Sequence, residues 1–174
     1  MIRITTIAML ALLACVITTK GQVKGKMFPA MEAETVEDKK VKLPDAIKGK
    51  YTLLGLAYSS KSEDELNSWF QPVYEKFIQK SKGLMASLSY DVNVYFIPMF
   101  TGANAALTGT AKRKALKNID PQLLPYILFY KDALDFEKKD VPYFFVLDTT
   151  GKIVYSTSGK YTEEKLDEVE EVIE

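Results

Sequence analysis

Ser59, Ser60 and Ser62 place three hydroxyls within four positions, with Lys61 among them. A serine becomes a nucleophile when a neighbouring base takes its proton, and that base is most often histidine. The chain has no histidine, and its only cysteine is Cys15. Past that residue there is neither thiolate nor imidazole. Ser-His-Asp and Cys-His mechanisms, disulfide bonds and the usual zinc sites are therefore excluded. Lys61 adjoins the serines but is expected to be solvated. The three hydroxyls read as helix-capping and loop hydrogen-bonding groups, and no catalytic residue is assigned. Two charge clusters remain. Lys112, Arg113, Lys114 and Lys117 read as the solvated face of a basic helix, with an anionic lipid or an acidic partner as the functional alternative. Glu163, Glu164, Asp167, Glu168, Glu170, Glu171 and Glu174 crowd the last helix, but a regular helix lacks the encircling loop calcium needs. No metal and no cofactor is expected.

Of the 174 residues, 47% are hydrophobic and 26% charged, a globular balance rather than a disordered one. The formal charge is zero. Removing Arg3 and Lys20 with the leading segment leaves 21 basic against 23 acidic residues, a charge of −2. Near neutrality gives no electrostatic reason to expect a nucleic-acid partner.

The leading segment, residues 1–21, is read as a secretory signal peptide. Arg3 supplies a weak positive start, and Ile7 to Ile17 is an apolar run of eleven residues, too short for a permanent membrane span. Thr19 and Gly21 set small residues at −3 and −1 of a cut before Gln22. Leu12-Leu13-Ala14-Cys15 also resembles a bacterial lipobox, which would make Cys15 a lipidated first residue. Val16 and Ile17 continue the apolar run past that cysteine, where lipoproteins usually turn polar. Both readings export the protein to the periplasm or beyond, and only the second anchors it to a membrane.

Residues 22–174 are expected to form one α/β domain. Glu34 to Leu43 reads as a small hairpin turning near Asp38 and Lys39, and Leu43 to Gly49 as one helical turn. Tyr51 to Ala57 is a nearly continuous apolar run, the pattern of a central strand covered on both faces. Ser62 and Glu65 suggest a capping box. Leu66, Trp69, Phe70, Val73, Tyr74, Phe77 and Ile78 then recur at helical spacing, with Pro72 predicted to kink the helix. Trp69 reads as core. Val92 to Pro98 is a second apolar strand, and a crossover helix before it implies a parallel pair. Thr101 to Thr110 is a Gly/Thr-rich stretch leading to the basic helix, and Pro121 to Lys131 reads as helical. Val141 to Asp148 and Lys152 to Ser156 form a hairpin, and a helix capped by Thr162 closes the chain. Strands alternating with helices, then a final hairpin, make the sheet mixed.

Val141-Pro142 before an apolar strand, followed by Leu147-Asp148-x-x-Gly151-Lys152-Ile153, resembles the second half of a thioredoxin-like domain. That resemblance implies a mixed sheet flanked by helices, with a cis peptide bond before Pro142. Gly25-Lys26-Met27-Phe28-Pro29, the hairpin, and Leu43-Pro44-Asp45 with Gly49-Lys50 resemble the opening of envelope thioredoxins and thiol peroxidases. Those families carry their redox cysteines on the loop after the first core strand; here that loop, Ala57 to Glu63, has none. A closer likeness is to the thioredoxin-like assembly factors of the mitochondrial ATP synthase. It rests on Ser68-Trp69-x-x-Pro72, the basic middle, the late hairpin, and Gly159-x-x-Thr162-x-Glu164-x-Leu166. It spans roughly residues 25 to 174, and a secretory leader stands where those factors have a mitochondrial presequence.

A hydroxyl cannot exchange disulfides, so a thioredoxin fold without thiols points to binding rather than redox chemistry. The resemblance implies that an extended polypeptide, or a partner protein of the envelope, is held by strand addition beside Val141 and Pro142. Tyr58, Ser59 and Ser60 on the former redox loop complete the candidate site. A proline kept only for its turn is the plain alternative. Two other functions stay open: a thiol-independent envelope enzyme using lysine or carboxylates, and a structural subunit of an envelope complex. Buried, converging ionisable groups would mark the enzyme, an apolar groove beside Pro142 the binder, and a large exposed apolar patch the subunit.

Overall fold

The computed structural model describes residues 23–79, 90–100, 112, 116–117 and 119–174. The leader with Cys15, the Thr101–Thr110 stretch, Arg113 and Lys114 lie outside the described residues.

The apolar run at Tyr51–Ala57 is β3, with Thr52 to Ala57 all buried. It pairs in parallel with β4 (Val92–Pro98) on one side and antiparallel with β6 (Tyr143–Leu147) on the other, and β7 (Ile153–Ser158) follows β6. The order is β4-β3-β6-β7. A continuous apolar strand thus lies inside the sheet, where both faces are covered. Alternation divides its side chains between two cores. Leu54 and Leu56, with Tyr143, Phe145 and Leu147 of β6, face Phe28, Met31 and Leu43. Leu53 and Ala57, with Phe144 and Val146, face the helices.

The expected N-terminal hairpin is β1 (Met31–Thr35) with β2 (Lys40–Leu43), paired from Met31↔Leu43 to Glu34↔Lys40 and turning through Asp38 at φ 63°. It begins before Glu34 because Met31 and Ala33 are buried at strand period. Pro121–Lys131 departs from the reading. Only Pro121–Tyr126 winds, as a 3-10 turn, and Leu128–Phe129 is β5, antiparallel to β1. The parallel bridges Phe96↔Ile127 and Met99↔Tyr130 join that small sheet to β4. Helix propensity lost there to pairing with strands distant in sequence.

The helical stripe is broken as Pro72 requires: α1 (Ser60–Asn67), α2 (Phe70–Val73), then a π-helical turn at Tyr74–Ile78. Trp69 at the first break is core, as expected. It is fully buried, stacked on Phe144 at 4.0 Å, and donates from Nε1 to the Gly159 carbonyl at 3.0 Å. Gly55 of β3 lets these layers meet. A Cβ there would come within 2.7 Å of Phe144 and 2.9 Å of Leu66. The last helix, α3 (Glu163–Ile173), starts at Thr162, whose side chain accepts from the Lys165 N–H as predicted.

Three further expectations are corrected. The capping box joins Ser59 to Ser62 rather than Ser62 to Glu65, because Ser59 leaves β3 in extended geometry (φ −115°, ψ 161°), the N-cap conformation. The cis bond is at Leu43–Pro44 and not at Val141–Pro142. Pro142 enters β6 through the ordinary trans form, which X-Pro bonds favour unless a tight turn selects the other. Lys112 is not on a solvated face. It is 6% exposed, bonded to Glu34 (3.1 Å) and Asp38 of the hairpin, and Lys131 shares Glu34 at 2.7 Å. Burial works to lower the Lys112 pKa, but the Asp38 and Glu34 bonds outweigh it and the net movement is upward.

Candidate functional site

The five residues singled out in the sequence converge at one end of the β3–β6 pair. Leu56 lies opposite Tyr143, and Tyr58 and Val141 lie two residues beyond that pair, just off the two strands. Tyr58, Ser59 and Val141 are half-buried, Pro142 is buried, and Ser60 is exposed.

Ser62 holds the first loop in shape. It is fully buried, and its Oγ accepts the backbone N–H groups of Tyr58 (2.9 Å) and Ser59 (2.8 Å) while donating to the Ser59 carbonyl (2.8 Å). Ser59 Oγ in turn accepts from the Ser62 N–H at 3.2 Å. The second loop is held by Tyr143, fully buried and stacked on Phe136 at 4.2 Å, whose hydroxyl accepts the Lys138 N–H at 3.0 Å. The Pro142 carbonyl accepts from the Gly159 N–H at 2.9 Å.

Two residues that sequence reading missed join the loops. Ser59 Oγ donates to Asp140 Oδ1 at 3.2 Å, and Lys139 Nζ sits 4.8 Å from the Tyr58 ring centroid. Both contacts span about eighty positions, and no local motif announces them. At such a distance Lys139 has a cation–π contact with Tyr58. Ser59 and Ser62 are hydrogen-bonding and capping groups, as expected, and Ser60 and Lys61 are exposed. The chemistry available is that of recognition: an aromatic ring, hydroxyls, one charge of each sign, and main chain at a strand end.

Nearby lies a cavity of about 470 Å³ between α1, α2, the end of β4 and the Pro121–Tyr126 turn. It is not beside Pro142. Neither Tyr58, Val141 nor Pro142 lines it, so it is not the apolar groove beside that proline that would mark a binder. Glu63 at its edge is held above the usual carboxylate range by burial, with Asp64 adding to the rise. Among the described residues no group of His, Cys, Asp and Glu side chains is placed to hold a metal, no helix is long and apolar enough to cross a membrane, and Met27 is the large hydrophobic residue that stands exposed.

The sheet and its flanking helices have a thioredoxin-like fold, with serines and no cysteine on the loop after β3. The fold is similar to yeast Sco1 with copper bound (14% identity, TM-score 0.52, 89% of this chain and 94% of that one). It is similar as well to a thio-disulfide isomerase from Thermus thermophilus (15%, 0.55, 86% and 96%). A third likeness is to BsSco, a member of the Sco family of cytochrome c oxidase assembly proteins (11%, 0.55, 88% and 95%). At these identities the likeness is one of fold. No curated protein matches the chain. The model of the ATP10 protein family matches residues 20–174, and the chain belongs to that family of ATP synthase assembly factors.

Proposed function

We propose that this chain is an exported, non-redox assembly factor that holds an extended segment of a partner polypeptide against Tyr58, Ser59, Ser60, Val141 and Pro142. Family membership supports the assembly role. The observation that carries the site is the Ser59–Asp140 hydrogen bond, which closes two distant loops into one surface where β3 and β6 end. Strand addition beside Val141 would supply main-chain hydrogen bonds, and the Tyr58 ring would select the side chain packed on it. Residues 1–21 are removed in this reading, or Cys15 is lipidated, and the protein works in the periplasm or outside the cell.

The test is capture from native envelope extract with wild type, Tyr58→Ala and Asp140→Ala, with thermal melts to separate folding from contact. Tyr58→Ala should weaken capture of a defined polypeptide by roughly 1–3 kcal/mol, the range of a moderate hot spot, with the fold kept. Wild-type capture by Tyr58→Ala defeats the site. Intact mass decides processing: loss of residues 1–21 or a lipid adduct at Cys15 fits export, and retained Met1 contradicts it.

A further inference from the structure

The cavity beside α1 has chemistry of its own. Leu66, Phe70, Leu123, Ile127 and Phe129, all buried, make an apolar floor. Glu63 and Asp64 on α1 and Asp120 before the 3-10 turn lie at its edge, and among the described residues no lysine or arginine lines it. Among the described residues none of these three carboxylates has an ion-pair partner, whereas Glu34 has two. Asp120 only accepts from its own turn, through the N–H and side-chain amide of Gln122.

Such a surface discriminates by charge. A wholly apolar ligand would cover Glu63 without giving it a counter-charge, which is costly. An acidic ligand would be repelled. A ligand with cations on both sides of an apolar stretch satisfies floor and edge together, because the acids sit on two separate elements. The volume lies within the range of pockets that enclose a ligand.

We infer that this cavity is a second recognition site, separate from the Tyr58–Val141 loops, and that it takes an apolar peptide segment flanked on both sides by lysine or arginine. The site goes beyond the strand-addition surface and stands or falls without it.

Three synthetic peptides test it by nuclear magnetic resonance titration of the isotope-labelled full chain. One has a leucine–phenylalanine core with lysines at both ends, one the same core with glutamates, and one a serine–asparagine core with lysines. The lysine-flanked apolar peptide should shift signals of Leu66, Phe70 and Leu123 and bind about tenfold tighter than its glutamate counterpart, the effect of two exposed ion pairs. Glu63→Gln with Asp64→Asn should bring that ratio towards unity, and Asn67→Trp at the edge should weaken both apolar peptides. Equal affinity for both apolar peptides, or equally tight binding of the polar core, overturns the inference. Shifts confined to Tyr58 and Val141 also overturn it, as does closure of the cavity by self-association on sedimentation.

Discussion

Replacing Ser62 by alanine removes one oxygen and disconnects the whole Tyr58–Ser59 loop. Ser62 Oγ accepts from the Tyr58 and Ser59 N–H groups and, at 3.4 Å, from the Ser59 hydroxyl, and donates to the Ser59 carbonyl. The bond from the Ser59 N–H is the reciprocal half of the capping box, and its other half survives because the Ser62 N–H can still reach Ser59 Oγ. Each buried donor left unsatisfied costs about 1–3 kcal/mol, and two backbone donors lose their acceptor. Ser62 is fully buried but Tyr58 and Ser59 are only half-buried, so water recovers part of that cost. The expected loss is roughly 2–4 kcal/mol, or about 5–15 °C in Tm for a chain of this size. Urea unfolding followed by tryptophan fluorescence measures it, since Trp69 reports on the core under α1. Ser60→Ala is the control: Ser60 is exposed, and its change should stay within about 0.5 kcal/mol. Ser62→Ala unfolding within 0.5 kcal/mol of wild type, by the same margin, would refute the claim that this hydroxyl shapes the loop.

Gly55→Ala should destabilise by about 1–3 kcal/mol in a thermal melt, because its Cβ meets Phe144 at 2.7 Å and that ring is pinned on Trp69; an unchanged Tm contradicts this. Lys112→Met should cost about 1–2 kcal/mol by urea unfolding, less than breaking an isolated buried pair because Lys131 still neutralises Glu34, and adding Glu34→Gln should recover part of it. Burial works to raise the Asp148 pKa, but bonds from the Thr150 hydroxyl and the Lys152 and Thr150 N–H groups outweigh it and hold the carboxyl below its ordinary value. An acid depressed in the folded state stabilises above its unfolded pKa and loses that contribution as pH falls through the folded one. Asp148→Ala should therefore be about 1 kcal/mol less stable than wild type at neutral pH. The gap should narrow below the ordinary carboxylate value of 3.8.

Elements with a complete local signature were legible in the chain. Tyr51–Ala57 declared a strand buried on both faces, Asp148-x-x-Gly151 declared the last turn, and Thr162 declared its helix. Gly151 takes φ 90° there, a conformation glycine supplies cheaply. Features made by distant partners were not legible. Leu128–Phe129 is a strand only because β1 lies beside it, and the reading of Pro121–Lys131 as helix followed local composition alone. Lys112 looked solvated because its counter-charges, Glu34 and Asp38, are more than seventy positions away. Two overlapping serine patterns competed for the start of α1, and the end of β3 decided between them. Tyr58, Ser59 and Val141 were singled out through a resemblance of loop order, whereas their neighbours Lys139 and Asp140 belong to no motif and are visible only once β3 and β6 are paired.

Whether a thiol-free surface where β3 ends and β6 begins holds a polypeptide is tested most directly in the native host. A photo-crosslinking amino acid is placed at Val141, with a second chain carrying it at Asp64 beside the cavity. One defined polypeptide adduct is expected from position 141, lost when Tyr58→Ala is added and unaffected by reductant. No adduct at 141, or one that persists at full yield with Tyr58→Ala, would contradict it.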